Sequence, residues 1–345
     1  MPSREHHVKK KLNRYLRGFF LALLFGLGTG VLLMVAGGFK EASQALLSFP
    51  LAFALGAILL AFARWLVEAL VLLLCVHPFG TLPLGYLLNV TFTTQFFNLL
   101  TPFYTGGQPF AVYYLSKGGL DVGQATAVVL VKSMVFQSMF SAFALYGVIF
   151  SFGWLGKVAW GASLAGLLFN GSVVFLILLF GVNPALARRT VGFFLNLLHR
   201  FRLLKDPEKK KHLVMEKVEQ FNTAFSGFLR RPGRISLVFL LSALQFSLYI
   251  ASVLVVLRGA GILWDVQLFT RSLLMITSAA FVPTPGTSGG IEGMYALFFE
   301  NVGRSANISA SMIVWRLCTY YLGIALSGLF TGIFIARSRA RKLTT

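Results

Sequence analysis

The most constraining feature of this 345-residue chain is a set of apolar runs, each long enough to cross a lipid bilayer as a helix. About 20 consecutive apolar residues span the hydrocarbon core of a membrane. Runs of that length occur at Gly18–Gly38, Leu46–Val76, Val122–Phe150, Trp160–Val182, Ile235–Leu257 and Ile308–Ala336. Charged residues make up only 12% of the chain, about half their share in soluble domains. The sequence therefore predicts an all-α integral membrane protein in which these runs are six full spans.

Two further apolar stretches, Leu87–Ser116 and Val266–Phe299, are interrupted at their centres by proline and glycine. The positive-inside rule, which places Lys and Arg on the cytoplasmic side, distinguishes two topologies. If both stretches are re-entrant hairpins and the N-terminus is cytoplasmic, 23 of the 31 Lys and Arg residues face the cytoplasm. If only the first stretch crosses completely, the loop 183–234 faces outward with its twelve basic residues. We therefore predict six spans plus two re-entrant hairpins in the cell membrane, with both termini cytoplasmic.

The net charge of +20 is concentrated beside the predicted spans and in the loop 183–234. In this loop, basic residues alternate with apolar residues at helical spacing, a pattern typical of helices that lie in the membrane interface. We expect anionic lipids of the cytoplasmic leaflet, and not nucleic acid, to be the partner of this charge. A solvated basic linker is the alternative interpretation. In either case residues 1–345 are predicted to form a single polytopic membrane domain.

The two broken stretches share the pattern Thr-Pro-x-x-(Thr/Ser)-Gly-Gly, which begins at Thr101 and again 183 positions later at Thr284. The same shift carries Val122–Phe150 almost onto the last span, and most of the second span onto Ile235–Leu257. Three elements in one order indicate an internal repeat. The predicted repeat units are residues 18–150 and residues 160–182 plus 235–336. Under the predicted topology their orientations are opposite, as in the inverted repeats of many secondary transporters.

The two breaks have a chemistry that suits a binding site. Proline removes an amide hydrogen and glycine unwinds a helix, so each break leaves backbone polar groups free. At bilayer depth such groups are tolerated only inside protein or beside a wet cavity. The N-termini of half-helices also carry partial positive charge, which suits a phosphate. The residues expected to form the floor of this cavity are Thr101, Pro102, Gly106, Gly107, Gln108, Thr284, Pro285, Ser288, Gly289 and Gly290.

Ionisable residues within the apolar segments are the second part of the predicted site. They are Arg64, Glu68, Lys132, Arg271, Glu292 and Arg316. At about 3 kcal/mol each in the centre of a span they would cost roughly 18 kcal/mol together, so they must be paired, hydrated or close to an interface. Arg64 and Glu68 are four residues apart on one helix face and are expected to pair.

Lys132 and Arg316 lie at nearly equivalent positions in the two repeats, and we expect them to bind a phosphate in a cationic cavity. Glu292 follows the second Gly-Gly, where a carboxylate can cap free amides and offset an arginine. Arg271 lies near the start of a helix, and snorkelling to the interface is the alternative to a site role for it.

Enzyme signatures are weak in this chain. The tetrapeptide Gly-Thr-Ser-Gly at 286–289 matches the serine motif of rhomboid proteases, but a serine nucleophile needs a base. Rhomboids use a histidine on a later helix, and no histidine follows His212. No phosphate-loop, metal-ligand or dinucleotide motif occurs, and Cys75 and Cys318 lack metal-site spacing. The sequence thus predicts no catalytic residues, no metal and no cofactor.

Three stretches, Thr101–Tyr114, Pro283–Glu292 and Trp315–Tyr321, resemble signatures of the flippase-like membrane domain of lysylphosphatidylglycerol synthetase, also called the multiple peptide resistance factor. The resemblance covers about residues 15–336. It implies that the chain moves aminoacylated phosphatidylglycerol, or a related lipid, between leaflets, whereas a separate cytosolic domain makes the lipid. We expect this chain to correspond to the translocating half alone.

Two positions depart from the pattern of that family. Many relatives carry an arginine where Phe110–Tyr113 stands here, and a Glu-Arg pair where Val131–Ser133 stands here. The hypothesis is a flippase for an anionic or aminoacylated phospholipid, with a polyprenyl-phosphate lipid as the alternative substrate. A membrane-embedded transferase acting on a lipid-linked substrate, and a lipid-binding scaffold that does not transport, are the alternative classes. The sequence leaves open whether the chain forms a homodimer.

Overall fold

A computed structural model gives the fold of most of the chain. The described residues are 39–200, 207–280, 282–284 and 286–343. The predicted first span, Gly18–Gly38, and the predicted site residue Pro285 lie outside them. Within the described residues the regular secondary structure is entirely helical.

The helices recur along the whole described chain. In order they are α1 (Phe39–Leu47), α2 (Leu51–Val76), α3 (Leu84–Leu99), α4 (Gln108–Lys117), α5 (Val122–Phe150), α6 (Lys157–Val182), α7 (Pro184–Arg200), α8 (Pro207–Leu229), α9 (Pro232–Gly259), α10 (Val266–Ala279), α11 (Gly290–Phe299), α12 (Ser305–Arg316) and α13 (Leu322–Leu343). A π-helical turn, Leu317–Tyr321, joins α12 to α13. Five described segments are long and apolar enough to cross a membrane: α2, α5, α6, α9 and Ser305–Phe334. The protein is therefore a multi-pass, all-α membrane protein.

Most predicted spans agree with helices, but several ends differ. Helix α5 has the predicted bounds, whereas α6, α9 and α12 each begin three residues before the predicted apolar run. Each of these helices begins with a turn that contains polar or charged residues. An apolar run marks only the apolar part of a helix, so it does not reveal such a turn. The predicted span Leu46–Val76 is in fact interrupted, because Pro50 adopts an extended conformation (φ −67°, ψ 119°) between α1 and α2 and fixes its own φ.

Helices α2 and α9 form the central pair of the bundle and run antiparallel. Near the start of α2, Gly56 faces Val255, and a Cβ on Gly56 would lie 3.2 Å from the Val255 Cγ1 atom. At the opposite end, His77 lies 3.4 Å from Arg234. Around this pair, α3 packs against α13 and α10 packs against α5. Each broken stretch therefore packs against the long helix of the other half of the chain.

Buried apolar side chains form two large clusters and a small one between them. One large cluster is built mainly from α9 to α12, and the other from α2, α4, α5 and α8. The small cluster contains Trp65, Leu99 and Tyr320, which come from both halves of the chain. It lies where the two helix breaks approach each other and holds that region together by packing.

The basic loop 183–234 contains the two helices α7 and α8, as its helical spacing predicts. Helix α8 packs against α5 and α6, with Phe225 fully buried. The Asn222 side chain donates hydrogen bonds to the carbonyls of Phe180 and Gly181, at 2.8 and 3.0 Å. The apolar face of α8 therefore covers the bundle, whereas Phe193 on α7 is 63% exposed.

Candidate functional site

The first helix break, between α3 and α4, depends on a close approach of backbone to backbone. Phe103 and Tyr104 have left-handed φ values of 56° and 58°, which non-glycine residues rarely adopt. The Gly107 amide donates to the side-chain oxygen of Asn98 at 2.8 Å. A Cβ on Gly107 would lie 2.1 Å from the Thr94 carbonyl oxygen, so glycine is required there. The break thus combines backbone strain with a polar side chain that satisfies a freed amide.

The second break, between α10 and α11, is also built around left-handed residues. Thr287 has a φ of 55° and Gly289 a φ of 84°. The Gly289 amide donates to the Glu292 carboxylate at 2.6 Å, so the capping role predicted for Glu292 is confirmed. Gly286 lies against the ring of Tyr320, where a Cβ would come within 2.2 Å of a ring carbon.

The two breaks contact each other directly. The Gly286 amide donates to the Thr101 carbonyl at 3.3 Å. The Tyr320 hydroxyl donates to the carbonyl of Leu99, the last residue of α3, at 3.2 Å. Segments that are 183 positions apart in the sequence therefore meet in the interior of the bundle.

Beside the second break, Arg316 forms a buried ion pair with Glu292. Its Nε atom lies 2.7 Å from the Glu292 Oε1 atom, and the two side chains are 6% and 1% exposed. A second guanidinium nitrogen donates to the Ser288 hydroxyl at 2.8 Å. The guanidinium carbon lies 3.9 Å from the centre of the Tyr320 ring. Arg316 thus ties α12 to both the second break and the π-helical turn.

Beside the first break, Lys132 forms a buried ion pair with Glu68 at 2.6 Å. The side-chain amides of Gln95 and Gln245 donate to the other Glu68 oxygen at 2.5 and 3.3 Å. The Tyr104 hydroxyl in turn donates to the Gln95 side-chain oxygen. This network joins α2, α3, α5 and α9 around one carboxylate.

The predicted local pairing of Arg64 with Glu68 is wrong, because Glu68 is already occupied by Lys132 and two amides. Arg64 instead stacks over Tyr249, with its guanidinium carbon 4.6 Å from the ring centre, and lies beside the Tyr104 hydroxyl. Spacing of four residues places two side chains on one helix face, but contacts from other helices decide their partners.

Arg271 lies apart from this central cluster, which we define as Arg64, Glu68, Lys132, Glu292 and Arg316. It is in the first half of α10, where it donates to the Phe298 carbonyl at 2.7 Å and stacks on Trp154 at 5.2 Å. The structure thus brings five of the six predicted ionisable residues to the two breaks and leaves Arg271 near a helix end.

The remaining predicted residues line the breaks in different ways. Thr101 accepts a hydrogen bond from the Gly106 amide at 2.8 Å, and Pro102 is exposed. Gln108, the first residue of α4, lies 3.5 Å from Ser133, the neighbour of Lys132. The Thr284 hydroxyl is buried without a hydrogen-bond partner. Gly290 begins α11 directly after the second break.

Sequence reasoning missed Gln95 and Gln245, which bind Glu68, and Tyr249, which stacks on Arg64. The detectable signal was an amide side chain in the middle of an apolar helix. Such a side chain must find a partner, since burial without a hydrogen bond is costly.

Two cavities lie at the opposite ends of the α2–α9 pair, with volumes of about 360 and 600 Å³. They are lined by residues that are 183 positions apart, namely Pro78 and Gly261, Phe79 and Ile262, Asp121 and Arg304, and Gln124 and Asn307. The larger cavity also contains Arg271. The bundle therefore has a cavity at each end of its central pair, at positions related by the sequence repeat.

The charges of the cluster favour binding of an anion. Three cations accompany two carboxylates, each of which is neutralised by a cation, so one positive charge remains.

In the part of the chain that the structure describes, no three His, Cys, Asp or Glu side chains are grouped as metal ligands.

Comparison with known proteins agrees with this architecture. The family described as "Lysylphosphatidylglycerol synthase TM region" matches residues 19–327. A UPF0104 membrane protein of Archaeoglobus fulgidus is 24% identical over 298 residues, which cover 82% of this chain and 87% of that protein. A UPF0104 membrane protein of Methanothermobacter thermautotrophicus is 23% identical over 273 residues, 77% of this chain and 78% of that protein. The chain therefore belongs to the lysylphosphatidylglycerol synthase transmembrane-region family.

Proposed function

We propose that this protein moves a phosphate-bearing lipid between the leaflets of the cell membrane, without nucleotide hydrolysis. The observation that carries the proposal is the direct contact of the two helix breaks, Gly286 with Thr101, beside two buried ion pairs. Irregular backbone and buried charge are both costly in a membrane and typically mark a substrate pathway.

An inverted repeat is part of this proposal. A shift of 183 positions carries α4 onto α11 and the start of α5 onto the start of α12 to within a residue. It also carries α2 onto α9, and these two helices are antiparallel. A two-fold axis in the membrane plane accounts for both facts. With cytoplasmic termini, the hairpin α3–α4 then enters from the cytoplasm and α10–α11 from outside.

The two cavities support alternating access. Under the proposed topology, the cavity at Asp121 faces the cytoplasm and the cavity at Arg304 faces outside. In the proposed path the central cluster and the breaks lie between the two cavities. A lipid headgroup that passes from one cavity to the other therefore has to cross the cluster, while its acyl chains remain in the bilayer. In this mechanism Lys132 and Arg316 contribute to the net positive charge that draws the phosphate to the cluster, and Glu292 holds the second break or a cationic headgroup.

The basic helices α7 and α8 have a supporting role in the proposal. They carry much of the positive charge that we assign to the cytoplasmic side. Binding to anionic headgroups is favoured by about 1 kcal/mol for each basic residue near the membrane surface. We infer that they rest on the cytoplasmic leaflet beside the smaller cavity, where they concentrate anionic lipid.

The test is leaflet exchange of fluorescent phosphate-bearing lipids in liposomes that contain the purified protein. We expect exchange above that of protein-free liposomes, and a loss of about tenfold or more for Arg316→Ala, since the change removes the charged hydrogen bond to Ser288 at the second break and such a bond contributes about 1.5–3 kcal/mol. The matched control is Arg258→Ala, because Arg258 is exposed at the end of α9. No exchange by the wild-type protein, across several phosphate-bearing lipids, would contradict the proposal.

A further inference from the structure

The central cluster contains one positive charge that no carboxylate offsets. Lys132 is paired with Glu68 and Arg316 with Glu292, which leaves Arg64. Among the described residues no carboxylate lies within ion-pair distance of Arg64. The predicted first span, Gly18–Gly38, lies outside them but contains no Asp or Glu, so that span cannot supply a partner either.

Arg64 is held in place by neutral groups. Its guanidinium stacks on Tyr249, which itself stacks on Trp315 with ring centres 5.7 Å apart. The Tyr104 hydroxyl, from the first break, lies beside the same guanidinium. The Nε atom of Arg64 is buried without a hydrogen-bond partner, yet the side chain as a whole is partly exposed. Aromatic stacking therefore orients the guanidinium, and its Nε atom is left without a protein hydrogen-bond acceptor.

Arg64 also lies midway between the two cavities. Pro78 lies at the rim of one cavity and follows Arg64 in the chain. The distance between the two residues along a helix is about 20 Å, since a helix rises 1.5 Å per residue. Gly261 lies at the rim of the other cavity and follows Tyr249, the stacking partner of Arg64. The same helical rise gives a distance of about 18 Å between Tyr249 and Gly261. A headgroup that moves between the cavities passes Arg64 at about half way.

We propose that Arg64 binds the lipid phosphate at this midpoint, and that the single unpaired charge of the cluster makes the site select phosphodiester headgroups over phosphomonoesters. This inference rests on the proposed function. A phosphodiester carries one negative charge, which Arg64 neutralises, and a guanidinium suits phosphate geometry through two parallel hydrogen bonds. A phosphomonoester carries about −1.5 to −2 at neutral pH, so it would leave an unpaired charge in an apolar environment.

The paired cations are poorer receptors for the phosphate. Either one would have to leave a carboxylate buried without its partner, which is strongly unfavourable. Arg64 has no such partner to leave. The two ion pairs therefore set the total charge of the site, and Arg64 makes the contact.

The test measures exchange of two fluorescent lipids by the full-length protein in liposomes: phosphatidylglycerol, a phosphodiester, and phosphatidic acid, a phosphomonoester. We expect Arg64→Gln to slow phosphatidylglycerol exchange about tenfold or more, because it removes charged hydrogen bonds, and Arg64→Lys to retain part of the rate. Glu68→Gln keeps the shape of the side chain but raises the net charge of the central cluster from +1 to +2. The exchange rate of phosphatidic acid relative to that of phosphatidylglycerol should therefore rise several-fold. Arg258→Gln should change neither rate.

Three results separate the explanations. No exchange by the wild-type protein refutes the proposed function itself. Wild-type rates in folded Arg64→Gln, or an unchanged lipid ratio in Glu68→Gln, overturn the inference while the function stands. If Arg64→Gln does not fold, as judged by its thermal stability in detergent, the lipid ratio of Glu68→Gln decides, because a purely structural role of the cluster would not change that ratio.

Discussion

Each carboxylate of the central cluster lies against a cation from a different helix. Glu292 of α11 meets Arg316 of α12, and Glu68 of α2 meets Lys132 of α5. An isolated charge at this depth would be expensive, so each pair is a constraint on which helices pack together. The ion pairs also place side chains at the two breaks, where a substrate would pass.

At the residue scale we predict that Glu292→Ala destabilises the protein by about 3–5 kcal/mol, because it leaves Arg316 buried without a counter-charge. It also removes the cap on the Gly289 amide. Thermal unfolding in detergent measures the effect, and Glu300→Ala, at an exposed position after α11, is the control. Equal stability of the two variants would show that the buried pair does not hold the second break.

Single residues also show where sequence reasoning stops. The capping role of Glu292 follows from its place after Gly-Gly, because a local signal determines it. The partner of Glu68 cannot be predicted in this way. Lys132 is 64 positions away, and only the packing of α2 against α5 brings the two side chains together. Likewise, nothing local indicates that Gln245 of α9 reaches Glu68.

At the scale of elements, apolar runs predict the helices well and their ends less well. Helix α5 has the bounds that its apolar run predicts, because Asp121 and Gln124 cap the helix directly where that run begins. Pro50 divides the predicted second span, and a proline within an apolar run could have been interpreted as a boundary. The antiparallel contact of α2 with α9 brings together helices that are far apart in the sequence, and no local pattern predicts it.

The antiparallel α2–α9 pair predicts a specific cross-link. With Cys75 and Cys318 replaced by alanine, Gly56→Cys and Val255→Cys together should form a disulfide on mild oxidation, because the two positions are in contact. Mobility on a denaturing gel after cleavage of the loop 183–234 reports the link. Leu55→Cys with Val255→Cys is the control, since Leu55 is 50% exposed. Cross-linking of the control but not of the test pair would contradict the register.

At the scale of the whole molecule, the two breaks meet inside the bundle and the two cavities lie at opposite ends of the α2–α9 pair. The repeated Thr-Pro/Gly-Gly pattern indicates this from the sequence, because a break at bilayer depth needs protein or water around it. The cavities themselves follow from packing, which the sequence does not reveal. The proposed lipid path depends above all on one arrangement, in which the repeat-related cavities face opposite sides of the membrane.

The most direct measurement of that arrangement is sided labelling of single cysteines at two repeat-related positions. In a background with Cys75 and Cys318 replaced, Asp121→Cys and Arg304→Cys are treated with a membrane-impermeant maleimide in right-side-out and inside-out vesicles. Both positions are exposed and line a cavity. We predict labelling of Asp121→Cys only from the cytoplasmic side and of Arg304→Cys only from the outside. Labelling of both from the same side would contradict the inverted arrangement and the lipid path through it.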